Sequence, residues 1–520
     1  MATLRLNIIL VLIHQVFFSD AARILAVYPT PSISHQVVFR PITQELLKRG
    51  HEVVVVTPDP MYPKGQAPVN LTEIDVHDVG YSALQGALTS SKMFKDNFFA
   101  ETELLMTAFI ETIDKILDVN EVKELLKGEQ HFDLLITEHC VRVAAAFSYV
   151  YKKPLIEISS FGAMFGTYGA LGAPTHPFLY PTNMYQRIYN LTMLEKLDVL
   201  YTKYKVENVM KRVEIIENKI IKKYFPPDTP PAAEVQRNVD MLFLNLNPIW
   251  EGNQPVPPNV IHLGGLPYKP NKPLPKELQS YLDSSKNGVI YISFGTNVKT
   301  SILPPERVKH MINAFSKLPY DILWKWDSDN LPGKAANIRI SKWLPQSDLL
   351  KHPKIKLFIT QGGLQSADET ITAGVPTVVV PMLGDQWYNA EKYVHHGIGV
   401  KLEAKDITEE SFSKAINTVI GNKSYRENII RLRDRMHDQP QQPLERAMWW
   451  IEYVMRHGGA KHLRSPAAFI TWREYLELDL VAVVLSVLLS ITLVSIFILY
   501  SLYRLLVKKN KQSRSKVKNN

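Results

Sequence analysis

Residues 356–389 read KLFITQGGLQSADETITAGVPTVVVPMLGDQWYN, and their alternation sets the architecture of the chain. KLFIT (356–360) is a short apolar, β-rich run that breaks into Gln361-Gly362-Gly363. A helix-like segment carrying Glu369 comes next, and TVVVP (377–381) is a second strand-like run that leads into a turn at Asp385-Gln386. Strand, glycine turn, helix and strand in that order form a βαβ unit, and such units build a parallel sheet covered by helices.

The same alternation extends upstream through GVIYISFG (288–295), ILWKW (322–326) and IRISKW (338–343). The amino-terminal half has its own set. RILAVY (23–28) and EVVVVT (52–57) flank a helix-like stretch at 36–49 that closes at Gly50, and after a helix-leaning region come FDLLIT (132–137), an alanine-rich helix at 141–151 and PLIEIS (154–159). Between the two sets, Gly252–Pro275 holds seven prolines in 24 residues, a density that helices and central strands exclude because proline lacks the N–H their ladders need. The fold expected is therefore α/β. It comprises two Rossmann-like domains, 23–251 and 287–445, joined by a proline-rich linker at 252–286 and facing each other across a cleft where strand C-termini converge. Residues 446–479, with Trp449 and Trp450, are expected to pack back on the first domain.

Composition narrows the class. The chain has 520 residues, 46% hydrophobic and 21% charged, which excludes a fibrous or mainly disordered protein. The net charge is +9, but seven basic residues and no acidic one lie between Arg504 and Asn520, leaving only +2 for the rest. The charge therefore predicts no nucleic-acid face. The single cysteine, Cys140, excludes a disulfide-stapled scaffold.

Residues 1–22 read as a secretory signal peptide, with Arg5, a short apolar run and small residues at Ala21-Ala22. From Leu480 to Tyr503, 24 residues carry no charge. At about 1.5 Å per helical residue they exceed the roughly 30 Å hydrocarbon core, so 480–503 is expected to be a transmembrane helix. The basic tail, 504–520, then lies in the cytoplasm and the earlier residues in the lumen, a single-pass type I arrangement. Lys516 and Lys518 resemble a dilysine endoplasmic reticulum retrieval signal, and Asn70, Asn190 and Asn422 head sequons that fit a lumenal glycoprotein.

The chemistry gathers in the second half. Gln361-Gly362-Gly363 at a strand-to-helix turn lets backbone amides approach an anion, and the helix N-terminus adds partial positive charge. Trp343 offers a π face for a base, Glu369 an acceptor for ribose hydroxyls, and Asp385-Gln386 hydrogen-bonding groups for a sugar. Together these parts suit a nucleoside diphosphate sugar. Asp327-Ser328-Asp329 sits in a polar turn and is not expected to hold a metal.

From Phe358 through Gln386 the chain resembles the UDP-glycosyltransferase family, in wording close to its insect branch. The likeness extends to Ser293-Phe294-Gly295-Thr296, His437-Asp438-Gln439-Pro440 and Met455-Arg456-His457. The resemblance implies the two-domain GT-B fold, with a lipophilic acceptor in the first domain and a UDP-sugar in the second. It places UDP-sugar binding on Ser293, Gly295, Thr296, Trp343, Gln346, Gln361, Gly362, Gly363, Ser366, Glu369, Asp385 and Gln386. His35, just after the first strand, matches the family's catalytic base, and Glu138 stands where the family has an aspartate. Gln361 departs likewise from the histidine of many members.

The function this resemblance implies is that of an inverting, detoxification-type transferase of the endoplasmic reticulum membrane. Such an enzyme moves glucose from UDP-glucose to a hydroxyl of small lipophilic acceptors such as phenols, with no cofactor and no metal. Two alternatives stand beside it: UDP-glucuronate as donor, and a non-catalytic UDP-sugar-binding protein. Homo-oligomerisation is left open.

Overall fold

The computed structural model describes residues 21–88, 98–266, 272–296 and 300–518. The expected signal peptide falls outside them except for its last two residues. Residues up to Arg464, apart from Gly169–Ala173, form one compact unit, and that five-residue segment with Ser465–Asn520 forms a second.

The first unit holds two all-parallel sheets. One contains β1 (Arg23–Val27), β2 (Glu52–Thr57), β3 (Leu71–Asp75), β4 (Leu134–Glu138), β5 (Leu155–Ser159), β6 (Met241–Leu244) and β7 (Val260–His262), in the order β3-β2-β1-β4-β5-β6-β7. The other contains β8 (Val289–Ser293), β9 (Asp321–Lys325), β10 (Ile338–Ser341), β11 (Ile355–Thr360), β12 (Thr377–Val379) and β13 (Gly399–Lys401), in the order β10-β9-β8-β11-β12-β13. Each is a doubly wound sheet whose strand order reverses once, between β1 and β4 and between β8 and β11. At such a point the loops leaving neighbouring strands diverge to opposite faces and open a crevice.

Both faces of each sheet are covered, as the near-continuous apolar strands require. Leu25, Val27, Leu135 and Leu155 pack with Ile113, Ile116 and Phe147 on one side of the first sheet. Ile24, Ala26, Ile136 and Ile156 pack with Val38, Phe39 and Ile42 on the other. That second core is completed from far along the chain, by Ala447, Met448, Ile451 and Val454 of the helix Pro443–His457. Their i, i+1, i+4, i+7 spacing is the apolar stripe of an amphipathic helix. The second sheet is filled by Ile290, Ile292, Trp324 and Phe315 on one side and by Tyr291, Phe358 and Leu350 on the other.

The described parts of the proline-rich stretch carry elements of their own. Its residues 260–262 add edge strand β7 to the first sheet, and the helix Lys276–Ser284 buries Leu278 and Leu282 against the second. The prolines interrupt elements without forbidding short ones between them.

In the second unit, Thr471 and Glu474 form a capping box. The helix Leu478–Lys518 comes after it, exposed along its described apolar length and, among the described residues, the one helix long and apolar enough to cross a bilayer. It contains the whole 480–503 span and continues into the basic tail.

Candidate functional site

The reversal of the first sheet brings two side chains into contact. Glu138 ends β4, fully buried, and His35 lies in the first turn of the helix Ile33–Lys48 that follows β1. His35 Nδ1 and Glu138 Oε1 are 2.5 Å apart. The other carboxylate oxygen accepts from the Thr30 amide at 3.1 Å, and the Cys140 thiol donates to Oε1 at 3.2 Å. A carboxylate that accepts three hydrogen bonds is held in one rotamer, and it holds the imidazole in turn. With Nδ1 donating to Glu138, Nε2 is the nitrogen left to take a proton.

Phe161 stands edge-on to the His35 ring at 5.6 Å, giving the site an aromatic wall. Burial and the Glu138 charge raise the Cys140 thiol pKa well above its ordinary range, so the thiol keeps its proton. Among the described residues, His35, Glu138 and Cys140 are the one set of potential metal ligands whose atoms lie within 4.8 Å of one another. The hydrogen bonds already joining them make a braced acid–base pair.

The reversal of the second sheet presents backbone. After β8, Gly295 has φ +82°, and after β11, Gly362 has φ +89°. At both, a side chain would meet an occupied position, since a Cβ would lie 2.2 Å from Gln361 Nε2 at Gly295 and 2.7 Å from Val379 Cγ1 at Gly362. Glycine is favoured by conformation at both and by space at Gly362, where the neighbour is a short branched side chain. Gln361 thus lies over Gly295, with its Oε1 buried and unpaired. Gly363 caps the helix Leu364–Ala373, whose first amides face the same turn, a geometry suited to an anion. Ser293 is buried beside it, and Thr296 is exposed at its rim.

The rest of the predicted set surrounds this turn. Trp343 is 63% exposed, unusual for tryptophan, and presents an open ring. Gln346 donates to Ser366 Oγ at 3.1 Å and to Glu369 Oε2 at 2.6 Å while accepting from Tyr291 Oη at 3.0 Å, so Gln346, Ser366 and Glu369 form one network. Burial raises the Glu369 pKa to about 7. Asp385 caps the helix Gln386–His395, and its Oδ2 accepts from Asn389 at 2.8 Å. Burial raises its pKa as well. Gln386 differs from expectation: its Oε1 accepts the Met382 and Leu383 amides, each at 2.8 Å, so only its Nε2 remains to meet a ligand.

The halves close on one another here, because Gln365, at the start of the helix after the glycine turn, donates to the Ser34 carbonyl beside His35. Sequence inspection missed Lys325, whose ammonium donates to the Gly295 carbonyl at 2.6 Å and lies 5.3 Å from the Trp343 ring centre. A lysine at the end of ILWKW, a strand otherwise buried, was the available signal. Of the sequon asparagines, Asn190 and Asn422 are exposed. Asn70 Nδ2 instead donates to the Leu47 and His51 carbonyls, at 3.1 and 2.9 Å.

The model of the UDP-glucoronosyl and UDP-glucosyl transferase family matches residues 23–513. Among curated relatives, an ecdysteroid UDP-glucosyltransferase of Spodoptera littoralis nuclear polyhedrosis virus is 33% identical over 94% of this chain and 98% of its own. UDP-glucuronosyltransferase 2B19 of Macaca fascicularis is 31% identical over 96% of each. Among solved structures, the calicheamicin glycosyltransferase CalG4 superposes with a TM-score of 0.57 at 16% identity, over 84% of this chain and 99% of its own, a likeness of fold.

Proposed function

Because the chain belongs to the UDP-glucoronosyl and UDP-glucosyl transferase family, with the GT-B fold and UDP-glycosyltransferase activity, we propose a particular form of that activity: inverting transfer of glucose from UDP-glucose to a hydroxyl of a small lipophilic acceptor. The observation that carries it is the braced His35–Glu138 pair set against the glycine turn of the other half.

An acceptor hydroxyl bound beside Phe161 gives its proton to His35 Nε2 as its oxygen attacks C1 of the sugar. The imidazolium that forms is stabilised by Glu138. The C1–O bond to UDP breaks on the opposite face, and the charge developing on the diphosphate is met by the Gly362-Gly363 amides, the helix N-terminus and Thr296. In this proposal no metal and no cofactor takes part. Glu369 receives the ribose hydroxyls and Trp343 the base, while Asp385 and the Nε2 of Gln386 bind the sugar.

Glucose is favoured over glucuronate because Asp385 would repel a uronate carboxylate, and the residues following Gln386, Trp387-Tyr388-Asn389, supply no cation to oppose it. Phenols are proposed as acceptors on the family likeness and on the aromatic wall at Phe161. The catalytic unit is placed in the endoplasmic reticulum lumen, with the 480–503 span as anchor and Lys516 and Lys518 as a retrieval signal. Deleting 516–520 should free the membrane-bound protein to acquire mature glycans, and persistent endoglycosidase H sensitivity would place retention elsewhere. The test of the activity is transfer of radiolabelled glucose from UDP-glucose to a panel of phenols by microsomes carrying the full chain. Labelled glucoside is expected, and its absence with every phenol would refute the acceptor class.

A further inference from the structure

Asp385 does not set its own orientation. Its Oδ2 accepts the Asn389 amide at 2.8 Å, and Asn389 Oδ1 accepts from the indole Nε1 of Trp250 at 3.3 Å. Trp250 belongs to the other half of the molecule, in the short helix Pro248–Glu251 between β6 and β7, and both it and Asn389 are buried. The neighbours of Trp250 keep its ring fixed. It packs edge-on against Tyr393 at 5.3 Å and stacks on His396 at 5.7 Å. Beside it, Glu251 faces the buried Lys392 at 3.7 Å, and Asn247 donates to the Met436 carbonyl at 3.1 Å. The segment 247–251 is therefore seated against the sugar-nucleotide half along its whole length, and one polar line leads from it to the carboxylate assigned to the sugar.

An amide with one end held by a fixed N–H cannot flip, because a flip would turn the Nδ2 group toward the indole donor and the carbonyl toward Asp385. The indole thus selects the Asn389 orientation that donates to Asp385. We propose that Trp250, acting through Asn389, is a positioning residue for the donor sugar: the acceptor half fixes the rotamer of Asp385 and so contributes to recognition of the sugar by the donor half. This rests on the reading of Asp385 as a sugar ligand. It goes further in assigning part of donor selectivity to a residue on the far side of the cleft.

The experiment is calorimetric titration of the detergent-solubilised full chain with UDP and with UDP-glucose. Trp250→Phe keeps an aromatic side chain and removes the N–H together with the five-membered ring of the indole. It should lower affinity for UDP-glucose about three- to tenfold, the loss of one neutral hydrogen bond, and leave UDP affinity unchanged. In an Asp385→Asn background the same change should add nothing, since both act on one contact. Asn389→Ala, made in the donor half alone, should reproduce the selective loss and serves if Trp250→Phe folds poorly. Equal loss for UDP and UDP-glucose would make Trp250 merely structural, and an unchanged ratio in both variants would overturn the inference while leaving the proposed function intact. A wild-type chain that binds neither ligand would overturn the site assignment and the inference with it.

Discussion

At the reversal of the first sheet a histidine meets a carboxylate; at the reversal of the second, two glycines at positive φ meet a glutamine. The strand orders agree over six strands, β7 being an addition to the first sheet, and both sites lie at the C-terminal ends of the two strands that flank the reversal. What differs is the kind of group delivered. The first half offers a titratable pair with every oxygen of Glu138 satisfied, suited to moving a proton. The second offers amides, hydroxyls and an open indole, suited to holding an anion and its nucleoside. One topology thus supplies both halves of a group transfer, and which half does which is set by whether the loop after the strand carries side chains or sheds them.

The largest effect should come from breaking the first half. His35→Ala should lower turnover by roughly 10²- to 10⁴-fold, as for loss of a general base, with UDP binding unchanged in a direct titration. Glu138→Gln should lose much of the same factor, because a neutral amide cannot stabilise the imidazolium. Normal kinetics in that variant would assign another carboxylate as partner.

Breaking the second half should give the opposite signature. Gly362→Ala forces a side chain into the left-handed region at about 1–2 kcal/mol and against Val379 as well. It should raise the UDP-glucose KM about tenfold or more and lower the melting temperature, while kcat at saturation changes less. A lower kcat with unchanged KM would blur the division between the halves. The donor comparison is next in size. kcat/KM for UDP-glucose should exceed that for UDP-glucuronate by at least about tenfold, roughly 1.4 kcal/mol, with one acceptor at saturation. Equal or reversed preference would count against the reading of Asp385.

The smallest effect concerns stability. Burial raises both Asp368 and Glu369 to about 7, while unfolded carboxylates titrate near ~4. Between those values the folded state holds protons that the unfolded state has lost. The contribution of these groups is therefore full below about pH 4 and disappears as pH rises through about 7. The melting temperature of the ligand-free chain should fall over that window, and Glu369→Gln should flatten the fall by keeping the side chain neutral. An unchanged slope would show that Glu369 is ionised in the folded state.

Much of the fold was legible in the sequence because it is local. Runs such as EVVVVT and KLFIT announce buried parallel strands, and a glycine pair after a strand announces a turn that admits an anion. Edge strands were harder to see. LTEID, β3, is half exposed and carries two acids, and β7 hides among prolines. The features missed at the site share another cause: they are made by residues remote in sequence. Thr30 braces Glu138 from the loop after β1, Lys325 reaches Gly295 from a neighbouring strand, and Trp250 meets Asn389 across the two halves. No periodicity records such meetings. The engagement of the Gln386 carbonyl by the Met382 and Leu383 amides is equally silent in the sequence, since an Asp-Gln pair gives no sign of which end of the amide its own loop occupies.

The central claim, that one base in the first half drives direct displacement of UDP held by the second, is tested most directly by the anomeric configuration of the product. The full chain is incubated with UDP-glucose, whose glucose is α-linked, and a phenol, and the glucoside formed is followed by proton NMR from the first turnovers. A single displacement predicts the β-glucoside alone. An α-glucoside would require a covalent intermediate or front-face attack, and would contradict the role assigned to His35 and Glu138.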